Sequence, residues 1–167
     1  MLIDVLQQVL TMKMRFVCEP YRQEMLSNKT LAIHCWQDSF DTGLYLFEQM
    51  HWFEALPHLG RAFVASEIIL SSHALSEESA TEMFTASSLA LISTLANLGN
   101  KNGCVEIYNT SRIRLKQLAL NHKELSFWLD KFDEQVKAHS LHPGLLDQFT
   151  GMTIANREIM PVHSTVH

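Results

Sequence analysis

The stretch HWFEALPHLGRAF, His51–Phe63, decides how the rest of the chain is read. Its apolar residues recur at three and four, the period of a helix with one buried face. Pro57 lies near its start, where a missing N–H has no helical partner, so a helix is expected to begin near Glu54. The preceding residues carry a second helical stripe: Trp36, Phe40, Leu44, Phe47 and Met50. His51 and Trp52 stand between the two as a turn. Two long helices joined so closely must pack antiparallel, as a helical hairpin.

Outward from this hairpin the pattern repeats. Leu2, Val5, Leu6, Val9, Met12 and Phe16 form an N-terminal stripe. Pro20 fits the first turn of a short helix ending near Leu26. SNKT, Ser27–Thr30, is a break with Thr30 as the expected N-cap. After Leu56, Leu59, Phe63, Ser66, Leu70 and His73, the stretch SEES starts a further helix. Ser76 can cap it, and Glu77 and Glu78 favour the positive end of its dipole. That helix presents Ala80, Phe84, Leu91, Leu95 and Leu98, and Gly99 can adopt the left-handed conformation that ends it. Tyr108, Ser111, Leu115 and Leu118 mark the next helix. Asn121 and Glu124 have capping-box spacing before Leu125, Trp128, Phe132, Val136 and His139. His142-Pro143-Gly144 breaks the chain, a short helix is expected around Leu145–Phe149, and the tail from Pro161 reads as disordered.

Strand signals are nearly absent, so the expected fold is all-α: six or seven helices in antiparallel hairpins. The chain of 167 residues suits a single domain over 1–150 with a C-terminal extension at 151–167.

The small and large residues of the central hairpin resemble the tetratricopeptide repeat, in which small residues let two helices approach and large ones wedge around them. Gly43, Ala55 and Ala62 occupy the small positions, and Leu46 and Leu59 the large ones. A weaker match runs through Leu95, Gly99, Cys104, Tyr108 and Ser111, with Ile92 departing where a small residue belongs. The hairpins would cover about 31–73 and 77–120. The period is long: Ala55 to Cys104 is 104 − 55 = 49 residues, against about 34 in a standard repeat. The resemblance implies a TPR-like right-handed α-α superhelix and a non-catalytic scaffold, an adaptor or chaperone-like protein. The first helix of each unit would line a groove, with Gln37, Phe40, Leu44, Phe47 and Glu48 in one unit. Ala86, Leu89, Ser93, Ala96 and Asn97 would serve in the other. Phe and Leu replace the polar residues with which such repeats grip a carboxylate. The expected partner is therefore a protein offering an apolar or amphipathic segment. A sealed core is the competing reading of Phe40, Leu44 and Phe47.

Composition excludes several other classes. A net charge of −5 with His neutral argues against nucleic acid as partner. No stretch is long and apolar enough for a membrane span, and no signal peptide is evident, so a cytoplasmic monomer or homodimer is expected. Cys18, Cys35 and Cys104 have no framework or zinc spacing and read as three small buried residues. Nine histidines raise a second reading, a small regulatory or sensory bundle binding a metal or small ligand. His139 and His142 are three apart, but Pro143 ends their helix, and HExxH is missing. No cofactor is expected. Arg112 and Lys116 share a face that could meet an acidic partner or remain solvated. No nucleophile elbow, phosphate loop or paired carboxylates appear, so no enzyme is expected.

Overall fold

A computed structural model describes residues 15–139. Most of the N-terminal stripe, the expected helix at Leu145–Phe149, the tail, and His142, His163 and His167 lie outside the described residues, as does the side chain of His139. Six α-helices and one short 3-10 turn follow in order among the described residues, with no strand. They are α1 (Glu19–Ser27), α2 (Lys29–Glu48), α3 (Trp52–Ser72), α4 (Glu77–Asn97), α5 (Lys101–Asn121) and α6 (Ser126–His139). Each packs chiefly on its neighbours in sequence, which makes the protein an all-α fold of antiparallel helical hairpins.

Local chemistry sets the boundaries, and three differ from expectation. One residue, Asn28, ends α1 and starts α2. Its backbone is extended, and its Oδ1 accepts the Leu31 N–H at 3.1 Å. Thr30 therefore lies inside the first turn of α2 and is not the cap. α3 begins at Trp52, two residues before the expected Glu54, so Pro57 sits inside the helix. The carbonyl it leaves without a partner is that of Phe53, four residues back on the exposed first turn. Asn121 is the last residue of α5, and His122 with the 3-10 turn Lys123–Leu125 makes the link to α6 in place of a capping box. Ser76 caps α4 as expected, accepting the Ser79 N–H at 3.2 Å, and Pro20 stands in the first turn of α1.

The turns of the two long hairpins share one hydrogen-bond pattern. Met50 N–H donates to Phe47 O and His51 N–H to Leu46 O, both at 2.9 Å. Gly99 N–H donates to Ala96 O and Asn100 N–H to Leu95 O, again at 2.9 Å. Every partner in the second turn is 49 residues beyond its counterpart, since 99 − 50 = 49 and 96 − 47 = 49. The central residue is left-handed in both, with φ of 59° at Met50 and 72° at Gly99. This is a Schellman closure, which satisfies carbonyls at a helix C-terminus.

Gly43 explains how closely the first hairpin closes. A Cβ there would lie 2.6 Å from Leu59 Cγ and Cδ2 and 3.2 Å from its backbone nitrogen. Only a hydrogen fits between α2 and α3 at that level.

α4 is buried without a break from Ala80 to Leu95. Its apolar stripe alone suggests one buried face, but the whole helix is core. The hydroxyl residues between its leucines permit this. Thr85, Ser87, Ser88 and Thr94 each donate to the carbonyl four residues back, at 2.8–2.9 Å, so none needs water. Two hydroxyls also bind neighbouring helices. Trp36 Nε1 of α2 donates to Ser87 Oγ at 2.8 Å, and Ser111 Oγ of α5 donates to Ser88 Oγ at 2.9 Å.

Candidate interaction site

The open apolar groove expected along α2 is not an open surface. Phe40 is fully buried, Leu44 and Phe47 are buried, and Phe40 stacks on Trp36 at 4.9 Å. Leu89, Ser93 and Ala86 of α4 are buried too. The reason lies in the helical period. Positions 36, 40, 43, 44 and 47 form the same stripe as Gly43, and a helix of this kind has one core-facing stripe. Gln37 and Ala96 are half-buried, whereas Glu48 and Asn97 are exposed. These two occupy equivalent places, 97 − 48 = 49 residues apart, each just before its hairpin turn.

Because successive helices are antiparallel, both hairpin turns lie at one end of the row. Five of the nine exposed large apolar residues among those described gather on these turns and the helix ends beside them: Tyr45, Met50, Phe53, Leu98 and Val105. Met50 is 70% and Phe53 77% exposed. Glu48 and Glu54 are exposed beside them. Met50 holds a left-handed position where the equivalent turn has glycine, which the structure shows and the sequence does not.

The opposite end has a different character. The C-terminal parts of α3 and α5 and the start of α4 enclose a cleft of about 430 Å³. Arg114 lies at its buried side. Its Nε is 3.1 Å from Glu67 Oε1 and its Nη2 is 3.2 Å from Ser71 Oγ, while Ser71 Oγ donates to Glu67 Oε1 at 3.1 Å. Burial raises the Glu67 carboxyl above the usual range, and Arg114, Ser71 and Arg22 oppose that rise. Across the cleft His122 Nε2 is 2.7 Å from Glu77 Oε2, and its Nδ1 is 3.5 Å from Glu124 Oε1. His73 Nδ1 is 3.9 Å from Glu77 Oε1. The fold thus brings together two histidines that the sequence separates by 49 residues. Among the described residues no three of His, Cys, Asp and Glu converge as a metal ion requires.

Other sequence candidates find structural roles. Arg112 does not stand free beside Lys116: its Nε is 3.0 Å from Asp133 Oδ1, and Tyr108 Oη donates to the same oxygen at 3.1 Å, so both hold α6 on α5. Cys35 is buried and Cys104 half-buried, with burial raising the Cys104 thiol. Cys18 is exposed, so the three cysteines are not uniformly core. Among the described residues no helix is long and apolar enough to cross a membrane. No protein-family model, curated protein or solved structure matches the chain.

Proposed function

We propose that the protein is a non-catalytic helical-hairpin scaffold, an adaptor or chaperone-like module, and that it docks a partner protein at its hairpin-turn end. The contact surface is Tyr45, Met50 and Phe53 of the first hairpin with Leu98 and Val105 of the second. Glu48, Glu54 and Asn97 border it. The partner chemistry is an amphipathic segment whose apolar face is flanked by Lys or Arg, which would meet the two glutamates.

One observation carries this reading: five of the nine exposed large apolar side chains among the described residues gather at one end of the row. Such clustering marks interaction surfaces more than isolated exposed residues do. The backbone at Met50 adds support. A left-handed non-glycine residue costs about 1–2 kcal/mol. Met50 bears that cost with its side chain largely in solvent, where it gains little from its own fold. An external contact accounts for the methionine. The shared turn geometry at a 49-residue spacing supports a repeat-like, TPR-like descent for the two hairpins.

The test is Phe53→Asp. The variant should fold with unchanged helicity, because Phe53 is exposed, and should lose the partner. Dilution-dependent mass of the wild type would instead identify a second copy of the chain as the occupant.

A further inference from the structure

The cleft at the far end from the hairpin turns has no part in the scaffold reading, and its chemistry is specific. Its volume of about 430 Å³ lies in the range of small-molecule pockets. Leu70 and Leu118 are buried apolar wall, and Leu120, 74% exposed, stands at the rim. Arg114 provides the charge. Its side chain is 10% exposed, and Glu67 and Ser71 fix it by two of its five N–H donors. Those two bonds leave three of its N–H donors, and the residue lines the cleft.

A guanidinium held on one edge by Glu67 and Ser71 offers its other edge preorganised. That edge matches two coplanar oxygens, as in a carboxylate. Among the described residues that line the cleft Arg114 is the one arginine, its charge is already shared with Glu67, and the facing wall carries Glu77, engaged with His122 at 2.7 Å. A dianion such as a phosphate monoester would meet Glu77 with too little opposing charge. A monoanion with an apolar body fits both the single fork and the leucine walls.

We infer that the cleft between α3, α4 and α5 binds a small apolar monocarboxylate, its carboxylate on Arg114 and its apolar body against Leu70, Leu118 and Leu120. This site is separate from the proposed docking surface, and neither depends on the other.

The experiment titrates phenylacetate and hexanoate into the full chain, followed by calorimetry and by amide chemical shifts. Phenylacetamide and inorganic phosphate run as matched probes. The expected result is saturable binding of both acids, with shifts confined to residues around Ser71, Gln117 and Asn121. Phenylacetamide and phosphate should each bind at least about tenfold more weakly. Arg114→Lys should abolish acid binding. Because that residue is buried and its change can unfold the chain, Leu120→Glu is the second variant: it should keep the wild-type melting temperature and weaken both acids about tenfold. Equal binding of phenylacetate and phenylacetamide would overturn the carboxylate assignment. Tighter binding of phosphate would overturn the monoanion assignment. No saturable binding of either acid at millimolar concentration would overturn the site.

Discussion

Arg114 Nε and Glu67 Oε1 lie 3.1 Å apart across the interior, joining two helices through side chains that are 10% and 5% exposed. The pair is 47 residues apart in sequence. Removing one member strands the other. Arg114→Leu is expected to cost about 3–5 kcal/mol, read by chemical denaturation.

Glu67 also sets a pH dependence. Its carboxyl is raised from the ordinary value of 4.5 by burial. The stability it contributes is therefore complete below the unfolded value and is lost as pH rises through the folded one. Denaturation midpoints across acid to neutral pH should show the wild type losing stability relative to Glu67→Gln as pH rises from 4.5, then a constant difference above the folded value. A difference that grows in favour of the wild type over that window would reverse the sign.

Gly43 admits no side chain without displacing Leu59. Gly43→Ala gains helix propensity but forces α2 and α3 apart, and a net loss of about 1–3 kcal/mol is expected from thermal or denaturant unfolding.

The two hairpin turns allow an internal comparison. Gly99→Ala should destabilise by about 1 kcal/mol, because alanine resists a φ of 72°. Met50→Gly relieves the same strain in the first turn and should raise stability by about 0.5–1 kcal/mol. On the scaffold proposal the same change weakens partner capture, so stability and binding would move in opposite directions.

Trp36 and Ser87 tie α2 to α4 at 2.8 Å. Ser87→Ala leaves the indole N–H buried without an acceptor, at an expected cost of about 1–3 kcal/mol. The tryptophan fluorescence should shift with it.

The hairpins were legible in the sequence because helical periodicity, the Ser76 cap and the Gly99 stop are local signals. So was the close approach at Gly43. The placement of the groove was not, because a stripe of Phe40, Leu44 and Phe47 reads alike whether it faces a core or a ligand. The depth of α4 was hidden by its serines and threonines, which look polar until Thr85, Ser87, Ser88 and Thr94 bond their own helix. Arg114 gave no signal: in RIRLK, Arg112–Lys116, it looks like one more surface cation, and only the fold brings Glu67 to it. The cleft between His73 and His122 is likewise a product of packing. Met50 continues the apolar stripe of α2 in the sequence, yet the hairpin turn leaves it exposed, as it does Phe53.

The docking claim is tested most directly by affinity capture with three forms of the chain, quantified by mass spectrometry: wild type, Phe53→Asp at the turn end, and Phe127→Asp at the opposite end. All three should keep the same helicity and melting temperature. The account predicts a partner held by the wild type and by Phe127→Asp and lost by Phe53→Asp, with its binding segment amphipathic and flanked by basic residues. Equal capture by all three, or loss only with Phe127→Asp, would contradict it.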